Sequence, residues 1–205
     1  HVNYSDSNKL IGKLLCINGA GIQYKWIKNL TSAKNYDEMN SLASEVKVGS
    51  NGLLVYPFGN GSERMFNNKD IGTCFKNLNL NIHSKQHLYR ASLEGIAFSF
   101  IYGMEILIND NFVPKLVRAG NDNLFQSELF SNTISTVLGR EIEIYDSTGA
   151  YGAARAAGYD SNNFKLYSDK ITRNDYIKSF KPQNDKSLYI DAYNLWKENL
   201  LKILN

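Results

Sequence analysis

The chain has 205 residues, 43% of them hydrophobic and 21% charged, with 23 Lys and Arg against 20 Asp and Glu. That length supports one sizeable core, and a net charge of +3 with neither sign clustered argues against the basic stripe of a nucleic-acid binder. Two distant cysteines, Cys16 and Cys74, make no CxxC pair and no disulfide framework, which fits a soluble protein of a reducing, cytoplasmic compartment.

The opening, HVNYSDSNKLIGKLL, lacks an initiator Met and reads like the inside of a longer protein. An excised domain is the expectation, although a processed or recloned terminus would look the same. Residues 13 to 17 predict a strand that runs into Gly19 and a helix over GIQYKWIKNL. NYDEMNSLASEVK predicts a second helix, with Asn35 as its N-cap and Glu38 placed to complete a capping box. Residues 53 to 56 predict a short buried strand stopped by Pro57, and GNGSERMFNNKDIGT a loop.

Ser84 opens the longest predicted helix, SKQHLYRASLEGIAFSFIYGMEILI. Ala91, Gly95, Ser99 and Gly103 recur every four residues and form one stripe of small side chains. Glycine inside a helix is costly, so the stripe predicts close approach of a neighbouring element. Glu94 and Glu105 interrupt the apolar run from Ala91 to Ile108, which therefore does not read as a membrane span. A strand over 115–118, a helix over 124–137 and a strand over 141–145 follow. A small-residue helix, TGAYGAARAAGY, is expected to press against a sheet. In the terminal helix, Tyr189, Tyr193 and Trp196 share a face, which predicts docking at the surface. Alternating strands and helices make the fold α/β.

Few residues suggest chemistry on their own. His83 and His87 are spaced as two zinc ligands could be, but no HExxH glutamate or further ligands accompany them, so they read as helix-start histidines and no metal site is assigned. GNGSER lacks the Gly-Lys-Ser/Thr of a phosphate loop, and GAYGAARAAG lacks the GxGxxG spacing. There is no GxSxG, and Glu94 reads as a paired structural acid, so no catalytic residue is assigned. Two junctions share a form: CINGAGIQ (16–23) and VRAGNDN (117–123) each end a predicted strand, expose glycine and offer backbone N–H groups beside an amide side chain. Such junctions suit a phosphate or a purine edge. They also suit ordinary tight turns, and both readings stand at this point.

Three blocks carry a resemblance. GLLVYPFGNGSERM, HLYRASLEGIAFSFIYGMEIL and VRAGNDNLFQSELFSNTISTVLGREIEIYDSTGAYGAARAAG resemble the C-terminal domain of the FGGY carbohydrate kinases, in order and spacing, from about residue 13 to residue 204. The RAG-x-x-N form is most similar to the xylulose kinase branch. The resemblance implies an actin-like ATPase (ribonuclease H-like) domain, a mixed sheet with helices on both faces, spanning residues 1–205 as the nucleotide-binding half of a two-domain sugar kinase. It implies ATP and Mg2+ as cofactors, transfer of a γ-phosphoryl group to a sugar or polyol hydroxyl, and a sugar held through an N-terminal domain outside this chain. It also implies Gly19, Gln23, Ala119, Gly120, Asn121 and Asn123 as nucleotide-binding residues, with TGAYGAA packed behind the pocket. Ala119 stands where the family more often has Gly. The family's catalytic base lies upstream, so the fragment is expected to be inactive alone. Neither nucleic acid nor membrane is an expected partner, and a homodimer is one expectation for assembly. The alternative is an actin-like binding or regulatory module without catalysis.

Overall fold

The computed structural model describes residues 13–111, 113–158 and 164–205. The N-terminal twelve residues and Tyr159, the last of the predicted small-residue helix, lie outside them. In chain order the elements are α1 (Ala20–Leu30), α2 (Tyr36–Ser44), β1 (Leu54–Phe58), β2 (Gly72–Lys76), α3 (Lys85–Asn109), β3 (Val117–Gly120), α4 (Glu128–Leu138), β4 (Ile142–Tyr145), α5 (Gly149–Ala157), α6 (Phe164–Asn174), β5 (Tyr176–Phe180) and α7 (Lys186–Leu204). The α/β, mixed-sheet reading holds, with the strands divided between two sheets. β1 and β2 form an antiparallel pair. β3 lies parallel to β4, and β4 antiparallel to β5.

α3 is the axis of the core. Its small-residue stripe does what the sequence predicts: a Cβ on Gly95 would fall well inside contact distance of the Val55 carbonyl, and one on Gly103 would strike Leu15. Ile96, Leu93 and Tyr89 on one side pack with Ile27 of α1, Met39 of α2, Phe130 of α4 and Ile142 and Ile144 of β4. Phe98 and Ile101 on another side join Tyr56 and Phe58 of β1 and Trp196 of α7. α3 is long and apolar enough to cross a membrane by length and composition alone, yet 61% of its most apolar window is buried inside the fold. The apolarity is used internally.

A buried ion pair braces this axis. Arg90 Nε donates to Glu94 Oε1 at 2.6 Å, and the Glu94 carboxylate also accepts Gly49 N–H at 3.1 Å and Ser50 Oγ–H at 2.9 Å. Burial pushes the Glu94 carboxyl up, while Arg90, Gly49 and Ser50 pull it back. Glu94 is thus the paired structural acid that its position in the helix suggests.

Several sequence expectations need correction. Residues 13–17 form no strand among the described residues. Their alternation survives, with Leu15 and Ile17 packed inward and Cys16 and Leu14 exposed, but a strand also needs a ladder partner, and none is present there. β1 does not stop at Pro57. It runs to Phe58 with Pro57 opposite Thr73, which is tolerable because among the described residues β1 is paired on one side only. The end of the predicted loop is β2, and the helix expected over 124–137 is a short 3-10 turn, Asn123–Gln126, followed by α4. There Ser127 intervenes as an N-cap, its Oγ accepting Phe130 N–H at 3.4 Å. Among the described residues α5 is not pressed against a sheet: it buries no residue, and nothing lies within 4 Å of a Cβ placed on Gly149 or Gly152. Its attachment is electrostatic, through Arg155 and Asp175 at 2.6 Å. α7 docks at the surface as expected, with Tyr193 and Trp196 on its buried face and Leu188, Leu195 and Leu201 exposed. Trp196 is 1% exposed, donates Nε1–H to the Val55 carbonyl at 2.9 Å and stacks on Tyr56 at 5.2 Å.

Candidate functional site

α1 begins at a left-handed Gly19 (φ 80), and the Gln23 N–H returns to the Gly19 carbonyl at 2.8 Å. α2 begins where the sequence places it, with Asn35 Oδ1 accepting Glu38 N–H at 2.9 Å. The reciprocal bond differs: Glu38 Oε2 accepts from Lys34 N–H at 2.8 Å, one residue before the cap. This geometry sets the first turn of α2, carrying Tyr36 and Asp37, beside α1. Tyr24 and Tyr36 stack with ring centroids 5.8 Å apart and planes 16° from parallel. Tyr24 Oη donates to Asn40 Oδ1 at 3.2 Å, and burial, the largest cause, pushes the Tyr24 phenol far above its ordinary value. The outer ring, Tyr36, is 43% exposed.

The turn after β3 closes the other side. Gly21 and Tyr24 from α1, Tyr36, Asp37 and Asn40 from α2, and Asn123, Leu124, Gln126 and Ser127 from the 3-10 turn and its end line one cavity of about 290 Å3. Aromatic faces, a carboxylate and amides in a concave site of that size suit a planar heteroaromatic ring bearing hydrogen-bonding edges.

Of the six predicted site residues, Asn123 lines this cavity directly, in a left-handed conformation at φ 49. Gln23 lies between two of its lining residues in sequence and is 6% exposed, yet neither Oε1 nor Nε2 has a partner among the described residues. A buried amide without partners is costly, so Gln23 carries unused polar capacity in the fold. Ala119 sits within β3 opposite Ile144 and packs on the core. Asn121 donates its N–H to the Tyr145 carbonyl at 2.8 Å and accepts from Gln126 Nε2 at 3.3 Å. Gly19 faces Asn60, which brings the GNGSER loop to the mouth of α1. Gly120 has an intramolecular reason for being bare: a Cβ there would collide with the Ser147 carbonyl. α5 does not line the cavity.

Tyr24, Tyr36, Asp37, Asn40 and Gln126 are additional lining residues that the sequence reading missed. One signal was available. Tyr36 and Asn40 are four apart and so share a face of α2, although nothing local says which element that face meets. Among the described residues no group of three or more His, Cys, Asp or Glu could hold a metal ion.

The profile of the FGGY family of carbohydrate kinases, C-terminal domain, matches residues 15–161. The chain belongs to this family. It is 31% identical over 172 residues to a gluconokinase of Bacillus licheniformis, covering 76% of this chain and 33% of that protein. It is 25% identical over 188 residues to a xylulose kinase of Staphylococcus xylosus, covering 87% of this chain and 38% of that one. The crystal structure of xylulose kinase from Rhodospirillum rubrum superposes with a TM-score of 0.73 at 23% identity, over 89% of this chain and 38% of the other. The fold is therefore that of the FGGY kinases, an actin-like ATPase domain. The chain spans between 32% and 41% of the length of curated relatives it matches.

Proposed function

We propose that this FGGY domain is the nucleotide-holding half of a carbohydrate kinase, acting with an N-terminal domain that supplies the catalytic base and the sugar subsite. The observation that carries the reading is the shared cavity: α1, α2 and the turn after β3, two of them flagged by junction sequences, converge on one concave site with stacked tyrosines at its wall. The residues fit the base end of ATP. Tyr36 offers a face for a purine and Asn123 and Asn40 offer amides to its edge, while the buried Gln23 amide, on the same helix as Tyr24 but not lining the cavity, is an unspent donor and acceptor. Gly19, Ala119, Gly120 and Asn121 form the backbone walls of the same reading, and Mg2+ would arrive with the triphosphate. When bound, ATP supplies the γ-phosphoryl group for transfer to a sugar or polyol hydroxyl. This chain's own residues bind and orient the nucleotide, since phosphoryl transfer depends on positioning and electrostatics.

The xylulose kinase branch is favoured among substrates by the RAG-x-x-N form of residues 118–123. A cytoplasmic location belongs to the same reading. The test is a coupled phosphorylation assay of the longer polypeptide and of this chain alone, with MgATP and a panel of pentuloses, gluconate and glycerol. Turnover by the longer polypeptide, fastest with xylulose, and none by this chain is the expected result. Absence of turnover on every substrate would favour a binding module, and a faster rate on gluconate would overturn the branch assignment.

A further inference from the structure

Two imidazoles meet one asparagine at the start of α3. The rings of His83 and His87 lie 5.4 Å apart. His83 Nδ1 accepts the Asn79 N–H at 3.0 Å. His87 Nδ1 accepts the Ser84 N–H at 3.2 Å, as the reciprocal half of the capping box that starts α3. A neutral imidazole carries one ring proton, so an accepting Nδ1 leaves that proton on Nε2 in both rings. Both Nε2 atoms then face Asn51. His83 Nε2 is 3.3 Å from its backbone carbonyl, and His87 Nε2 is 3.0 Å from its Nδ2, so an Nε2–H on His87 calls for the Asn51 amide turned to present its oxygen, an assignment the hydrogen-bond network decides. Asn51 itself is left-handed, at φ 50 and ψ 35, a conformation that a non-glycine residue keeps when its surroundings fix it.

The charged groups on the packed elements are few and largely committed. Glu45 and Lys47 line a surface cavity of about 390 Å3 with His87, Gln86 and Asn51. Lys85 lies 3.6 Å from Glu38 of α2, and Arg90, one turn further on, is bound to Glu94.

We propose that this imidazole pair is an acid-released clasp: a proton taken from solvent onto His87 Nδ1 displaces the Ser84 N–H and uncaps α3. A cation at that position also opposes the positive end of the helix dipole. Burial, and secondarily the neighbouring His83, hold the His87 imidazole below its usual 6.5. The unfolded chain therefore takes up this proton first as pH falls. The clasp's contribution to stability is complete above 6.5 and is lost as pH drops from there through the folded-state value.

Nuclear magnetic resonance of the 205-residue chain tests this directly. Long-range proton–nitrogen spectra should show both rings as Nε2–H tautomers near neutral pH, and titration should place His87 below 6.5. Hydrogen exchange at the Ser84 amide, corrected for its intrinsic pH dependence, should quicken severalfold relative to Ile96 between about pH 7.5 and about pH 5.5. His87→Gln, which can cap without titrating, should flatten that response. An Nδ1–H tautomer at His87, a titration at or above 6.5, or an unchanged response in His87→Gln would overturn the proposal.

Discussion

Gln23 is the residue where stability and binding pull in opposite directions. Its amide is buried and unpartnered at the start of α1, so an apolar side chain of similar length should suit the empty protein better. Gln23→Leu is expected to raise stability by about 1–3 kcal/mol, the desolvation cost of an unsatisfied polar group, and at the same time to weaken nucleotide binding. Urea unfolding and a binding isotherm on the same preparation would check both halves. Glu94 makes the opposite case. Removing its charge leaves Arg90 buried without its counter-ion, so Glu94→Gln should destabilise by about 3–5 kcal/mol, read as a lower urea midpoint with an unchanged slope. The sequence alone made Gly120 legible as a bare position, but not what approaches it. The nearest atom to its missing side chain is the Ser147 carbonyl, 27 positions further along the chain, and no local pattern encodes a contact at that separation.

Elements were legible where local chemistry decides them. The caps at Asn35 and Ser84, the small-residue stripe of α3 and the existence of β4 all follow from spacing or residue type, and the structure bears them out. What failed depended on partners. Residues 13–17 alternate like a strand but lack a ladder among the described residues, and α5 has the composition of a packed helix with nothing packed on it there. α7 docks through the face that Tyr193 and Trp196 mark, although nothing local says how deeply Trp196 is anchored. Truncating that ring removes a core side chain and leaves the Val55 carbonyl without its indole donor. Trp196→Ala should therefore cost about 3–5 kcal/mol, measured by thermal or urea unfolding. Gly95→Ala should also destabilise, by about 1–3 kcal/mol, because the added methyl meets the Val55 backbone rather than a yielding side chain.

For the whole molecule, the candidate site emerges only when distant segments are assembled. Tyr24, Tyr36 and Asn123 are spread over 100 residues of sequence, yet they line one cavity against the α3 core. The chain covers 33% of the Bacillus licheniformis gluconokinase and 38% of the Staphylococcus xylosus xylulose kinase, and the proposed function makes the cavity one part of a two-domain site. Holding a nucleotide and transferring its phosphoryl group are then separable properties. On the proposed reading the first belongs to this chain, and the second needs the N-terminal domain as well.

Calorimetric titration of MgADP tests that division most directly, performed on this chain and on the longer polypeptide, each as wild type, Gln23→Leu and Tyr36→Ala. Tyr36 is 43% exposed but stacked on Tyr24, so its truncation should lower the thermal midpoint modestly without unfolding the domain. Binding by both wild-type proteins, weakened at least tenfold (about 1.4 kcal/mol) by each substitution, is the predicted result. Binding that neither substitution affects, or no binding by either wild-type protein, would contradict the nucleotide half-site.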